Sequence, residues 1–143
     1  FIVGLFLLLL FFSLKAGDKS RIFELNARLG RGINIGNTFE APSEDAWGNP
    51  WNPEYVKMIA DLGFSHIRVP IRWEVPERTM TEPPYTVSGD FLERIRGVVD
   101  VALAQNLHII INMHHHESLF ADPEGERARF LSQWRQIADY FKA

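Results

Sequence analysis

A repeated order of elements constrains the fold of this chain more than any other feature. Three short apolar runs, at 32–36, 63–73 and 108–113, are each followed by a polar loop and then by residues with helical periodicity. The hydrophobic period changes each time from that of a buried strand to that of an amphipathic helix. This order predicts an α/β fold built from parallel βαβ units with right-handed crossovers.

The first residues of the predicted helices carry recognisable start signals. Asn-Pro-Glu at 52–54 and Asp-Pro-Glu at 122–124 combine a capping side chain, a proline in the first turn and an acid near the positive end of the helix dipole. Between them, Ser88 or Asp90 is predicted to start a helix, and a short lead-in helix is predicted from Asp18 to Leu29.

The lengths of the connections distinguish between two architectures. The loops after the strands are long and polar, whereas the turns from helix to strand are short, as in a (β/α)8 TIM barrel with its chemistry at the C-terminal strand ends. A doubly wound sheet is the alternative, but no glycine-rich phosphate turn follows the first strand. A closed barrel needs about 250 residues and eight units. With 143 residues, this chain is expected to hold the N-terminal three βα units of an incomplete barrel.

The N-terminal segment is strongly apolar. Residues 1–12 contain no charged side chain, and the run is shorter than the ~20 residues that span a bilayer. A secretory signal is therefore favoured over a membrane anchor. We expect residues 1–16 to be a signal peptide truncated at its N-terminus, the folded domain to occupy 17–143, and the protein to be secreted without a stable membrane span.

Composition argues against nucleic acid as a partner and excludes disulfides and cysteine metal sites. The formal net charge of −3 leaves no basic surface for a polyanion, so nucleic acid is not an expected partner. The chain has no cysteine, which rules out disulfides and thiolate metal sites.

Arg68 is the most unusual residue of the second predicted strand. A strand covered on both faces should be almost continuously apolar, so a guanidinium there needs a partner. It is either a structural arginine bound by carbonyls or a carboxylate, or a functional group. Alternation along the strands predicts that Arg68, Asn112 and His114 project into the barrel mouth. Hydrogen bonding inside the barrel remains the alternative for Asn34 and Asn112.

Three consecutive histidines follow the third predicted strand. Consecutive side chains leaving a strand point in different directions, so at most His114 and His116 share one metal ion. An H-x-H pair at a strand end occurs in metal-dependent barrel hydrolases, which is one alternative function. We expect no metal, because the remaining ligands would have to come from later strands. Glu117 is expected to be a loop or rim residue.

Tryptophans accompany amides and acids in the loops after the strands. Flat rings beside hydrogen-bonding groups suit sugars, whose C–H faces stack while their hydroxyls hydrogen-bond. Trp47, Trp51 and Trp73 are therefore candidate rim contacts, with His116 a further one. The alternative is that these tryptophans pack loops onto the barrel. The same rings leave open a non-catalytic carbohydrate-binding protein.

Four segments together resemble the N-terminal part of the family-five glycoside hydrolases, the endoglucanase and mannanase barrels of clan A. They are RGINIGN at 31–37, EAP at 40–42, GFSHIRVPIRW at 63–73 and INMHH at 111–115, in the order and spacing of that family. The resemblance implies a retaining endo-glycosidase acting on β-1,4-linked polysaccharide, either cellulose or other β-glucan, or mannan. It also implies an eightfold barrel and no cofactor, and we expect a monomeric parent protein.

Individual residues match positions of the family's site. Arg68 matches the arginine that hydrogen-bonds the nucleophile carboxylate. His114 and His115 match the strand-three histidines, one of which lines the subsite beside the scissile bond. Asn37 and Glu40 match residues that reach substrate hydroxyls on the non-reducing side. The resemblance therefore implies one catalytic partner and four substrate-binding residues.

The catalytic carboxylates of the family are expected elsewhere. Retaining hydrolysis needs two carboxylates about 5 Å apart, and in this family they are glutamates at the ends of strands four and seven, the first within Asn-Glu-Pro. That tripeptide does not occur in this chain. We expect both glutamates beyond residue 143, and residues 17–143 to be a partial glycoside hydrolase catalytic domain that is inactive and loosely folded alone. His116 stands where relatives often have tyrosine.

Overall fold

The structure is a computed structural model that describes residues 19–142. After a lead-in helix, strands and helices alternate along these residues, and two successive helices follow the last strand. The elements are α1 (Lys19–Leu29), β1 (Gly32–Asn34), α2 (Pro53–Asp61), β2 (His66–Ile71), α3 (Gly89–Ala104), β3 (His108–Met113), α4 (Glu117–Ala121) and α5 (Pro123–Phe141). The predicted signal segment, residues 1–16, lies outside the described residues. No described helix is both long enough and apolar enough to cross a membrane.

The strands form one parallel sheet in chain order, β1-β2-β3. Asn34 of β1 is paired with Arg68 of β2, which is paired with Ile110 of β3. Helices α2 and α3 connect the successive strands. The predicted parallel βαβ order is therefore confirmed, and β1 ends at Asn34 rather than at the predicted Gly36.

Side-chain caps begin three of the helices at predicted residues. Each cap accepts a hydrogen bond from a backbone N–H in the first turn, which has no partner within the helix. The bonds run to Asn52 from Glu54 (3.0 Å), to Ser88 from Phe91 (3.3 Å) and to Asp122 from Gly125 (3.0 Å). Ser88 rather than Asp90 therefore caps α3, and Asp18, where the lead-in helix was predicted to begin, lies outside the described residues.

Helix α4 was not predicted, because the segment after the histidines was expected to be a loop. It has only five residues, and its N-cap residue His116 makes no side-chain capping bond. Such a short helix has no hydrophobic period that a sequence pattern could reveal.

The two faces of the sheet differ in what covers them. We call the face that packs on the helices the helix face; on β2 it carries Ile67, Val69 and Ile71, all fully buried. The core on this side also includes buried residues of α2, α3 and α5, namely Val56, Ile59, Leu92, Ile95, Val98, Val99, Ala102 and Ile137. We call the opposite face the barrel face; by strand alternation and register it carries Asn34, Arg68, Pro70, Ile110 and Asn112.

Candidate active site

Arg68 is held on the barrel face by its neighbours on both sides. One terminal nitrogen donates to Oδ1 of Asn34 on β1, and the other lies 3.5 Å from Nδ1 of His114, just after β3. The structure thus brings together Arg68 and His114, as the sequence predicted. Within residues 19–142, Arg68 forms no ion pair with a carboxylate, so its guanidinium retains donors for further acceptors.

His114 and His115 lie side by side at the end of β3. Their ring centroids are 4.4 Å apart, and His115 adopts a positive φ of 55°. Burial lowers the pKa of His114, and the neighbouring His115 and Arg68 lower it further. Because Arg68 can only donate, Nδ1 of His114 accepts and the proton of the neutral ring resides on Nε2. His114 is therefore a hydrogen-bond donor through Nε2.

Trp47 is the most exposed of the three candidate rim tryptophans. Its side chain lies on the loop between β1 and α2, and 45% of the residue is exposed. The ring meets His115 edge-on, with centroids 5.9 Å apart. Trp51, by contrast, is half-buried and tilted against Phe39 at 6.0 Å. Trp47 alone of these rings combines exposure with contact to a strand-end histidine.

Two candidate rim residues are buried, so their prediction was wrong. Trp73 is 1% exposed, and its Nε1 donates to the carbonyl of Asn112 at 3.2 Å. His116 is 3% exposed; its Nε2 lies 3.2 Å from a Glu126 carboxylate oxygen of α5, and its Nδ1 lies 3.1 Å from Sδ of Met113. Both are interior residues because the chain that follows folds back over the ends of β2 and β3.

The burial of His116 also bears on the metal alternative. His116 is engaged with Glu126, whereas His114 faces Arg68. Across residues 19–142, no three histidine, aspartate or glutamate side chains come together as a metal-binding group. The alternative function, in which His114 and His116 would share one ion, therefore gains no support from the geometry.

Asn37 and Glu40 form a tight turn directly after β1. Asn37 has a positive φ of 64°, and Glu40 is 5% exposed. The Glu40 carboxylate accepts hydrogen bonds from the backbone N–H groups of Asn37 (2.6 Å) and Thr38 (3.0 Å). A Cβ at Gly36 would lie 3.1 Å from the same carboxylate, so glycine permits this close approach. In this structure Glu40 shapes the turn, and its contact with substrate stays a prediction.

Asn112 has one buried polar atom that lacks a hydrogen-bond partner among the described residues. Its Nδ2 donates to the carbonyl of Met113 at 3.2 Å, whereas its buried Oδ1 has no partner among the described residues. Buried polar atoms usually have a partner. The barrel face thus holds an unmatched acceptor at Asn112 as well as open donors at Arg68.

Sequence reasoning missed a charged group at the strand ends. Arg72 donates to a Glu74 oxygen through two nitrogens, at 3.0 and 2.8 Å, and to Glu117 at 3.2 Å. Hydrogen bonding with Glu74, together with the Arg72 guanidinium, holds the pKa of Glu117 below its usual range. The Glu117 carboxylate also lies 3.5 Å from Nδ1 of His115. These ion pairs occupy the carboxylates of Glu74 and Glu117.

Sequence reasoning also missed Arg78, which lies in the long polar loop between β2 and α3. The residue is buried, and burial lowers the pKa of its guanidinium. Its hydrogen bonds run to backbone carbonyls more than 30 residues earlier in the chain, as well as to Arg72. No local pattern could have predicted those partners, because they depend on how two loops meet.

Comparison with known proteins decides the family. The chain matches the cellulase family, glycosyl hydrolase family 5, over residues 29–143. The chain belongs to this family. Endoglucanase H of Acetivibrio thermocellus is 38% identical over 120 residues, which are 84% of this chain and 13% of that protein. Endoglucanase A of Paenibacillus barcinonensis is 33% identical over 138 residues, covering 84% of this chain and 34% of that protein.

Solved structures of family-5 enzymes share the fold. Endoglucanase Cel5A of Thermotoga maritima is 47% identical with a TM-score of 0.80, over 84% of this chain and 38% of that one. The same enzyme has been solved with mannotriose and, in mutant form, with cellobiose. The family-5 chain described here is thus three βα units of a TIM barrel, and it spans at most two fifths of these relatives.

Proposed function

We propose that this chain supplies the first three βα units of a secreted endo-glycosidase that hydrolyses β-1,4 bonds either in cellulose or related β-glucan, or in mannan. The observation that carries the proposal is Arg68, fixed on the barrel face of a family-5 chain by Asn34 and His114. Its open donors face the side on which a barrel encloses its site.

Arg68 is suited to hold a nucleophilic carboxylate. A retaining glycosidase needs one carboxylate ionised as nucleophile and a second as acid/base. A guanidinium within hydrogen-bonding distance favours the ionised form and orients it. The proposed role of Arg68 is therefore to keep the nucleophile charged and aimed at the sugar.

The histidines and Trp47 are suited to bind the sugar itself. His114 offers a proton on Nε2 to a hydroxyl, because its Nδ1 faces Arg68. Trp47 offers an exposed ring for stacking against a pyranose face. Asn37 and His115 complete the proposed substrate-binding group, with Glu40 shaping the turn beside them.

The two catalytic carboxylates are proposed to come from outside residues 19–142. Glu40 has both oxygens bonded to backbone N–H groups, and Glu74 and Glu117 are ion-paired with Arg72. None of the three stands free beside Arg68. We therefore expect the 143-residue chain to hydrolyse nothing on its own.

The substrate preference follows from the relatives. The curated relatives quoted above are named endoglucanases, and the Thermotoga maritima enzyme was solved with both a gluco- and a manno-oligosaccharide. The test is release of reducing sugar by the full-length protein from carboxymethylcellulose, glucomannan and galactomannan. Hydrolysis of carboxymethylcellulose is expected, and a folded full-length protein that cleaves none of the three would contradict the proposal.

A second candidate is a non-catalytic carbohydrate-binding protein, which the exposed Trp47 ring favours. Calorimetric titration of the 143-residue chain with cello- and manno-oligosaccharides distinguishes the two. Micromolar binding by the chain, together with a full-length protein that cleaves no glycan, would favour this candidate.

Secretion is proposed from the apolar residues 1–12 and is tested by N-terminal sequencing of exported protein.

A further inference from the structure

Arg78 joins two of the loops that follow strands, using backbone carbonyls alone. We call residues 35–52, between β1 and α2, the first loop. One terminal nitrogen of Arg78 donates to the carbonyls of Phe39 (2.6 Å) and Arg72 (2.8 Å), and the other donates to Ala41 (3.0 Å) and Pro42 (3.4 Å). Three of these carbonyls belong to the first loop, and the fourth lies just after β2.

The number of bonds explains how this charge is tolerated in the interior. Arg78 is 6% exposed, and among the described residues none of its hydrogen-bond partners is a carboxylate. A buried cation without a counter-ion is costly unless its donors are satisfied. The guanidinium also lies over the Phe91 ring, 4.8 Å from the centroid. The planar fork of arginine reaches several acceptors at once, which a lysine ammonium cannot do in the same geometry.

The first loop has a fixed part and an exposed part. Phe39 and Ala41 are buried where Arg78 holds them, whereas Trp47 is exposed and meets His115. A second tie lies between these parts, where Arg94 of α3 forms a two-nitrogen ion pair with Glu44. Arg78 and Arg94 thus hold the part of the first loop that leads to Trp47.

We propose that Arg78 is a positioning residue for substrate binding: it fixes Phe39, Ala41 and Pro42 so that the first loop presents Trp47 beside His115. The inference rests on the proposed function, since it treats Trp47 as a substrate contact. Arg78 touches no substrate itself. Its loss should weaken binding on the Trp47 side while leaving the chemistry at Arg68 in place.

The kinetic test compares Arg78→Met and Arg78→Lys with wild type in the full-length protein, using a soluble cello-oligosaccharide. Methionine retains much of the stem and loses every donor. KM is expected to rise about tenfold with little change in kcat, the pattern of lost uniform binding. Arg78→Lys, which keeps the charge but reaches fewer carbonyls, should give an intermediate KM.

Arg96 offers a matched control on the same helix as Arg94. It donates to the carbonyl of Tyr140 at 2.6 Å and lies over the Phe141 ring at 4.7 Å, so it makes the same two kinds of contact away from the first loop. Arg96→Met should lower the melting temperature and leave KM unchanged. An equal rise of KM in the Arg96 variant would overturn the proposal, because it would show a general loss of stability.

Amide hydrogen exchange provides a readout that does not depend on activity. In Arg78→Met, the amides of the first loop, including Asn37 and Thr38, should exchange faster, while those of β2 and β3 stay protected. If wild type cleaves no glycan, the proposed function fails and the exchange result still decides whether Arg78 fixes the loop. Unchanged loop exchange, or unchanged KM in an active enzyme, would overturn the inference. If the methionine variant does not fold, Arg78→Lys is judged by the same outcomes.

Discussion

The two faces of β2 differ in how fully other parts of the protein cover them, although they are formed by alternate residues of one strand. On the helix face Ile67 and Val69 are fully buried by helices that the same βα units provide. On the barrel face Arg68 is only partly covered, and its neighbour Ile110 is 36% exposed. Three βα units can therefore complete the packing that stabilises the sheet, but not the surroundings of the polar residues.

This difference follows from barrel geometry. Each helix covers the strands beside it, whereas the interior of a (β/α)8 barrel is filled by side chains from strands all around it. Packing is thus local to a βα unit, and the site is shared between units. Among the described residues, Arg68 and Asn112 have polar atoms without partners for the same reason that Ile110 is exposed.

The largest expected effect tests the helix face against the barrel face. Ile67→Ala should lower the free energy of unfolding of the full-length protein by about 2–5 kcal/mol, because it leaves a cavity in a packed core. Ile110→Ala is the matched change on the barrel face, measured by the same urea titration. A comparable loss at Ile110 is expected if further strands cover that face. A loss below about 0.5 kcal/mol, typical of surface sites, would contradict barrel closure.

A smaller effect is expected within the barrel face. Asn34→Ala removes the acceptor that holds one side of Arg68, and hydrogen bonds to charged groups are worth about 1.5–3 kcal/mol. The kcat/KM of the full-length protein should therefore fall about tenfold. The control is the double variant Asn34→Ala/Arg68→Ala, in which the Asn34 substitution should cost nothing beyond the loss caused by Arg68→Ala. An equal additional loss in the double variant would mean that Arg68 is not oriented through Asn34.

The smallest effect concerns the protonation of His114. Its folded-state pKa is lowered, chiefly by burial, whereas the unfolded chain titrates near pH 6.5. Between these values the unfolded state binds more protons, so stability should rise with pH through this window and level off above about pH 6.5. His114→Gln should reduce that slope in urea titrations from pH 5 to 7. An unchanged slope would show that His114 is not a source of it.

Much of the fold could be predicted because its signals are local. Asn52 and Asp122 cap helices within three residues of themselves, and the runs that became β2 and β3 are apolar without reference to the rest of the chain. The family motifs also placed Arg68 and His114 near one another. These features depend on residues close in sequence or on segments whose order identifies the family.

The errors arose where long-range packing decides the environment. Trp73 and His116 are residue types that often line the rim of a sugar site, but segments that follow them in the sequence bury both. Arg78 finds acceptors 36–39 residues earlier, and Glu40 turns its carboxylate onto its own backbone. Burial and partner choice at such positions follow from how loops meet, which the sequence pattern does not encode.

The central claim is that Arg68 serves a nucleophile supplied by another part of the barrel. The direct measurement is kcat/KM of Arg68→Ala in the full-length protein on a soluble cello-oligosaccharide, with the melting temperature of the same variant as a control for folding. We predict a loss of ~10²-fold or more, as for removal of a preorganised charge partner, with folding retained. A folded Arg68→Ala variant with wild-type activity would contradict the account.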